Sequence, residues 1–215
     1  MKLEITKLCA DSLRAFTQNN YGIQLKSSHA HELVAAYFGY SSRASLLADK
    51  DCSMINLNEA EIIILNPPTL FVDERRKTLE NLPPELPASN VLAQGVYAPI
   101  VAGKEFDGKI WPGFHEVALA FAENRAYENI RMMGMDPKEL TWVIDVDIKT
   151  TELEVLMTVI FDYPAGAKKP VRHSKVQIRL PRVAGDIGYS EPEVMPTFYH
   201  GDMTDPDFRL KHGID

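Results

Sequence analysis

The stretch SSHAHELVAAYFGYSSRASLLA, residues 27 to 48, decides how the first half of this chain folds. Its apolar residues recur at helical spacing over residues 30–38, and Gly39 then provides the backbone freedom with which helices commonly end. Ser28 is a candidate N-cap for this helix, and one of the two serines in YSSR is a candidate N-cap for a short helix after it. The stretch therefore predicts two helices joined by a tight turn.

The flanking segments extend this helical unit. The apolar spacing in LEITKLCADSLRAF predicts an amphipathic helix that stops at Gly22, so residues 1 to about 52 form a three-helix unit. EIIIL, residues 61–65, fits either a short buried strand or the body of a helix. VDERRKTLENL, residues 72–82, predicts a charged helix with a solvated face, and the proline-rich PPELPASN after it is a candidate domain boundary.

The second half of the chain has a different pattern. GVYAPIVAG, residues 95–103, predicts a strand, and GFHEVALAFAENRAYENIRMMG, residues 113–134, predicts a helix. Three runs with strand-like alternation follow: TWVIDVDIKT, ELEVLMTVIFDY and SKVQIRLPRV. This order, β-α-β-β-β, indicates an antiparallel three-strand meander whose apolar face is covered by the helix.

These patterns predict an α+β protein, in which an N-terminal three-helix unit is followed by a β-α-β-β-β unit with an antiparallel meander. The expected domains are a mainly helical module at residues 1–88 and a sheet domain at residues 89–183. Residues 184–215 are rich in glycine, proline and aspartate, and they predict an irregular tail or an arm that lies on a partner.

Composition narrows the class of protein. The chain has 215 residues, 45% of them hydrophobic and 25% charged, which is typical of a globular protein. Its net charge of −7 disfavours non-specific binding to nucleic acid but leaves room for a local basic patch. No segment fits a signal peptide or a membrane span, so a cytoplasmic location is expected. Cys9 and Cys52 lack zinc-site spacing and are expected to be packed, reduced thiols.

Candidate metal ligands are weak in this sequence. His29 and His31 are two residues apart, which on a helix separates them by about 200° and prevents them from sharing an ion. Asp145 and Asp147 share one face of a strand, and with Asp162 they are candidate Mg²⁺ ligands.

The alternative for Asp145 and Asp147 is that they face Lys175 and Arg179 across the sheet or are simply exposed to water. Motifs typical of hydrolases, phosphate loops and zinc peptidases are absent from the sequence. We therefore predict no catalytic residue, no metal site and no cofactor.

A helix-turn-helix is a second interpretation of the opening stretch. Ala35, Gly39 and Leu46 have the spacing of two helices that cross at a tight turn. The second helix offers Arg43 and Ser45 as candidate contacts to DNA, whereas Asp49 would be repelled by phosphates.

Residues 8–49 also resemble a known module. LR, GI, SHAHELVA and FGY occur in an order and spacing similar to the N-terminal helical module of bacterial glyoxalase-related proteins and of uncharacterised plasmid and mobile-element proteins. The resemblance implies a helical bundle and transfers no catalytic residue. The β-α-β-β-β order is also the repeating unit of vicinal-oxygen-chelate enzymes, which hold a metal with His and Glu on their strands. VYAPIV and VQIRLP contain neither residue type, and a dimer would be needed to complete such a site.

The leading hypothesis is a non-catalytic accessory protein of a bacterial mobile element that binds an unknown protein partner. The alternatives are a DNA-binding protein and a dimeric metalloenzyme of the vicinal-oxygen-chelate type. Nucleic acid is a possible but less favoured partner, and no membrane association is expected. A homodimer is also predicted, because apolar side chains are expected on exposed surfaces. The candidate partner surface is Leu156, Ile160, Tyr189, Phe198 and Tyr199.

Overall fold

A computed structural model describes residues 4–65, 69–132, 143–162 and 173–198 of the chain. The helices are α1 (Ile5–Tyr21), α2 (Ser27–Tyr37), α3 (Arg43–Ala48), α4 (Thr69–Thr78), α5 (Ser89–Val101) and α6 (Phe114–Met132), with 3-10 helices at Met54–Glu59 and Lys104–Phe106. The strands are β1 (Ile62–Ile64), β2 (Ile110–Trp111), β3 (Val143–Thr150), β4 (Glu154–Asp162), β5 (His173–Ala184), β6 (Gly188–Tyr189) and β7 (Glu193–Phe198). The predicted α+β class is confirmed.

The chain divides into two compact units. The first unit consists of Met1–Gly113 and Arg182–Glu191, and the second of Phe114–Pro181 and Pro192–Asp215. Residues 89–113, which we expected in the sheet domain, thus belong to the first unit. The proline-rich connector lies inside this unit instead of at its boundary.

The three N-terminal helices form where the sequence predicts them. α1 ends at Gly22, whose φ of 68° is left-handed and suits glycine. α3 begins with a capping box in which the hydroxyls of Ser42 and Ser45 each accept from the other residue's backbone N–H. The predicted Ser28 cap is wrong, because α2 begins at Ser27 without a side-chain cap.

Residues 95–101 are helical, so the strand predicted at residues 95–103 is wrong. α5 packs against α1, and a Cβ added to Gly95 would lie 2.7 Å from Cβ of Phe16. Glycine therefore lets the two helices approach closely, and this packing outweighs the β-branched residues that suggested a strand. No described strand of the second unit precedes α6, because β2 pairs with β1 in the first unit. The β-α-β-β-β unit on which the vicinal-oxygen-chelate comparison depends therefore lacks its predicted first strand.

A small sheet lies in the first unit. β1 pairs in parallel with β2 and antiparallel with β6, and β6 pairs with residues 182–184 of β5. All three isoleucines of β1 are buried, which resolves the ambiguity of EIIIL in favour of a buried strand.

The second unit contains the predicted antiparallel meander of β3, β4 and β5. β7 pairs antiparallel with the other side of β5. The irregular tail predicted from residue 184 is therefore wrong for β6 and β7, because both pair with the nearby strand β5 and β6 also pairs with the distant strand β1. The rest of the predicted tail, residues 199–215, lies outside the described residues.

One face of this meander forms the core of the second unit, and α6 covers it by contacting β4 and β7. Small residues on α6 permit this close packing. The buried side chains are Val117, Ala118, Ala122 and Ala126 on the helix, and Val155, Met157, Val159, Phe161, Val176, Ile178 and Leu180 on the strands.

α4 does not present the solvated arginine face that the sequence predicts. Arg75 donates to the Glu32 carboxylate of α2 at 2.6 Å. Arg76 donates to the carbonyl oxygens of Leu86 and Pro87 at 3.0 and 2.8 Å. These two side chains connect α4 with α2 and with the proline-rich connector.

Candidate functional site

The candidate DNA contacts lie at the start of α3. Arg43 is exposed, and its backbone N–H donates to Glu32 at 3.0 Å. The Ser45 hydroxyl is committed to the capping box, where it accepts from the Ser42 N–H at 3.0 Å and donates to the Ser42 carbonyl at 2.8 Å. A hydroxyl used in this way is not available to a base edge. The DNA-binding prediction therefore depends on Arg43.

The candidate metal ligands do not converge. His29 is buried, with 8% of its surface exposed, whereas His31 is half-buried and lines a pocket. Asp145 and Asp147 are exposed on β3, in agreement with the expected exposure to water. The predicted pairing with Lys175 and Arg179 is wrong, because β4 separates β3 from β5. Within the described ranges, no group of three His, Cys, Asp or Glu side chains is placed to hold a metal ion.

The candidate partner surface is not one surface. Leu156 and Ile160 are half-buried on β4, and each lies opposite charged residues of both neighbouring strands. The aliphatic stems of such neighbours can cover apolar side chains without a second copy of the chain. Tyr189 is only 1% exposed and donates to the Asp186 carbonyl at 2.6 Å, so it is a core residue. Phe198 ends β7, and Tyr199 lies outside the described residues.

The first unit carries an apolar groove of about 780 Å³ between α1 and the two 3-10 helices. We call this cavity the apolar groove. Met54, Leu57 and Phe106 are buried beneath it, whereas Ile55 is 74% exposed at its edge. Its volume is within the range of about 300–1,000 Å³ typical of ligand pockets. Its apolar lining consists of Ile5, Leu8, Met54, Ile55, Leu57 and Phe106.

Two carboxylates, Glu4 and Glu105, line the rim of the apolar groove. Both residues are exposed, and neither forms an ion pair in the part of the chain that the structure describes. Lys109 is nearby in the sequence, but its Nζ donates to the carbonyl oxygen of Ala60 at 2.8 Å. The groove therefore combines an apolar floor with a negatively charged rim.

Two local features hold the residues at the floor of the apolar groove in place. The Ser53 hydroxyl caps the Met54–Glu59 helix by accepting from the Ile55 N–H at 3.5 Å. Gly103 leaves room for the Phe106 ring, because a Cβ at this position would lie 2.8 Å from ring atom Cδ2. Such support predicts a preformed groove.

A second, smaller cavity lies beside α3. This basic pocket has a volume of about 220 Å³. It brings Arg43 and His31, which we considered separately as DNA and metal contacts, together with Lys7. Burial and the nearby positive charge of Arg43 lower the pKa of His31. Its apolar wall consists of Val34, Leu46 and Leu47, and Glu4 also contributes to its lining.

Sequence reasoning did not identify Ile55, Phe106 or Lys7. Ile55 and Phe106 lie in short 3-10 helices that have no amphipathic periodicity, and Lys7 belongs to the exposed face of α1. The run MINL, residues 54–57, gives no sign in the sequence that Ile55 is exposed whereas Met54 and Leu57 are buried. The significance of Ile55 depends on its surroundings in the fold.

Comparison of the chain with protein-family models, with curated proteins and with solved structures finds no significant match. Among the described helices, none is long and apolar enough to cross a membrane.

Proposed function

We propose that this is a non-catalytic accessory protein that binds an amphipathic helix of a partner protein in the apolar groove. The observation that carries the proposal is Ile55, a 74% exposed isoleucine at the edge of a groove with an apolar floor. Helices that dock in grooves insert apolar side chains at positions i, i+3 or i+4, and i+7. The partner helix buries Ile55 and places its own apolar residues over Met54 and Phe106.

The charge of the rim supports a basic partner. Glu4 and Glu105 attract lysine or arginine residues that flank the apolar face of the helix, and their attraction gives the helix its orientation. Exposed charges of this kind are screened by salt. Binding is therefore expected to weaken as salt rises.

The proposed setting is the cytoplasm of a bacterium, in a protein encoded on a mobile element. The resemblance of residues 8–49 to the helical module of such proteins supports this setting. Both cysteines are free thiols buried in the first unit, as is usual in reducing compartments. Homodimerisation and DNA binding through Arg43 stay predictions. The proposed binding of a partner helix in the apolar groove depends on neither.

The test is selection of binding peptides from a displayed library of helical sequences, followed by titration of the selected peptides. The wild-type protein should enrich peptides with an apolar face flanked by lysine or arginine. Ile55→Asp should weaken their binding by about tenfold or more, equivalent to about 1.4 kcal/mol. Glu105→Lys should selectively weaken peptides with a basic flank.

Leu153→Asp is the matched control, because Leu153 is also an exposed apolar residue but lies in the second unit. It should leave peptide binding unchanged. The proposal fails if no peptide family is enriched, or if the Ile55 and Leu153 variants bind the selected peptides equally well.

A further inference from the structure

We propose that the basic pocket binds a small organic acid, with its carboxylate held by Arg43 and Lys7 and its short apolar tail placed against Leu47. This site is separate from the apolar groove, although Glu4 lines both cavities. The proposal does not depend on a protein partner.

Three basic side chains converge on the pocket without internal partners. Lys7, His31 and Arg43 all line it, and none of these side chains forms a hydrogen bond or an ion pair with another described residue. Elsewhere in the same unit the arginines of α4 are each held by acceptors. An unpaired cluster of donors beside a cavity is the arrangement that an anion completes.

The charge of the lining favours a monoanion. Lys7 and Arg43 each contribute one positive charge and Glu4 contributes one negative charge. A carboxylate balances the resulting excess of one positive charge, whereas a dianionic phosphate would exceed it. Arginine also offers a planar pair of donors that matches the two oxygens of a carboxylate.

The other side of the pocket is apolar. Val34 and Leu46 are buried there, but Leu47 is 61% exposed. A short hydrocarbon tail would cover Leu47 and gain about 25 cal/mol for each Å² of apolar surface removed from water. The volume of about 220 Å³ equals that of roughly seven water molecules in the liquid, so the tail contains only a few carbon atoms.

His31 makes the binding sensitive to pH. The charges around this residue are Arg43 and Arg14, which oppose its protonation, and Asp11 and Glu4, which favour it; Lys7 also lines the pocket. A bound carboxylate offsets the charge of Arg43 and so raises the pKa of His31. By linkage, affinity should increase as pH falls from about 7.5 to 6, where carboxylates stay ionised.

The test is titration of the full chain with 3-methylbutanoate. Binding is monitored by calorimetry and by the NMR signal of the His31 ring. Saturable binding with a shift of this signal is expected. Two matched probes separate the contribution of the carboxylate from that of the apolar tail. 3-Methylbutylamine has the same tail without the carboxylate, and inorganic phosphate has negative charge without the tail. The amine should not bind, and phosphate should bind about tenfold or more weakly.

Arg43→Gln should weaken 3-methylbutanoate binding by about tenfold or more, and His31→Gln should remove the pH dependence. Arg125→Gln, at an exposed position of α6, is the control and should change neither the affinity for 3-methylbutanoate nor its pH dependence. Ile55→Asp should also leave carboxylate binding intact, which separates this inference from the proposed function.

The inference is overturned by an absence of saturable binding, by equal affinity for phosphate, or by an Arg43 variant that binds the acid normally. Duplex DNA that shifts the His31 signal when the acid does not would support the DNA-binding alternative instead.

Discussion

The backbone N–H of Asp186 donates a hydrogen bond of 2.9 Å to the carbonyl oxygen of Phe38. This bond joins the end of α2 to Arg182–Glu191, a segment of the first unit that lies between the two parts of the chain that form the second unit. Gly39 follows Phe38 with a φ of 89°, and the Asp186 side chain occupies the position that a Cβ on this glycine would take. The left-handed backbone and the close packing of Asp186 thus both require glycine at residue 39.

Gly39→Ala should lower the free energy of unfolding by about 2 kcal/mol or more, because left-handed backbone and steric overlap both oppose alanine. Urea unfolding measures the loss. Gly22→Ala is the matched control: its φ is also positive, but nothing lies within 4 Å of the added Cβ. Equal losses in the two variants would show that Asp186 does not restrict residue 39.

Glu32 predicts a pH dependence of stability. Burial alone would raise the pKa of this carboxyl, but hydrogen bonds from the Arg43 N–H and the Arg75 side chain hold the pKa below its usual range. The stabilisation is therefore complete above the unfolded pKa of about 4.3 and disappears as pH falls through the lower folded pKa. Glu32→Gln should cost about 1–2 kcal/mol at neutral pH and progressively less below about pH 4.

Denaturant unfolding of the wild-type protein and of the Glu32→Gln variant between about pH 7 and pH 3 measures the difference in their free energies of unfolding. Glu128→Gln removes an exposed ion pair with Arg125 and should cost less than about 0.5 kcal/mol at either pH. A Glu32→Gln penalty that does not change with pH would contradict the assigned role of the carboxylate.

Arg76 should tolerate neither removal nor replacement by lysine. Its side chain is 19% exposed and donates to Leu86, Pro87 and the Ser89 hydroxyl, the last at 3.1 Å. Lysine lacks the planar set of donors that reaches these acceptors together, so Arg76→Lys should cost about 1–3 kcal/mol in thermal or urea unfolding. Arg125→Lys, at an exposed position, should be nearly neutral. Similar stabilities of the two variants would refute the bridging role of Arg76.

Both cysteines should resist thiol reagents in the folded protein. Cys9 is fully buried, and burial raises its pKa to about 12; burial also raises the pKa of Cys52. Because the thiolate is the reactive form, an aromatic disulfide at about pH 8 should modify neither residue until denaturant is added. Absorbance of the released thiolate measures the reaction. Rapid release from the native protein would contradict the burial of at least one thiol.

Gly95→Ala should destabilise the protein by about 1–3 kcal/mol, although alanine is the better helix former by about 1 kcal/mol. The added Cβ meets Phe16 on α1. This Cβ lies 2.7 Å from both Cβ and Cγ of Phe16, and only glycine at position 16 removes both atoms, so the Gly95→Ala penalty should be smaller when Phe16→Gly is already present. A double-mutant cycle by urea unfolding measures the coupling, and additive penalties would exclude the predicted contact.

The elements that the sequence predicts well carry their own local signals. α1 has helical periodicity and a terminal Gly22, and α3 has the Ser42 cap. α5 and β7 carry weaker local signals, and the elements that they contact in the fold determine their structure. α5 becomes a helix against α1, where Gly95 meets Phe16, and β7 becomes a strand on the free edge of β5. Such contacts between separate elements cannot be derived from periodicity alone.

The same limit applies to the candidate sites. The sequence singled out Arg43 and His31 for different chemistries, and the fold brings them to one pocket with Lys7. The apolar groove requires α1 to meet two short 3-10 helices from different parts of the chain. Residue type suggested single candidates, whereas their grouping depends on the tertiary structure.

The return of Arg182–Glu191 to the first unit has a consequence for biosynthesis. A ribosome releases the chain from its N-terminus, so α1 to α5 emerge long before β6. Because β6 completes the small sheet beside β1, the first unit cannot finish folding until the whole meander has left the exit tunnel. During that interval the nascent helices retain unsatisfied apolar surface, and a chaperone that shields such surface should raise the yield of folded protein.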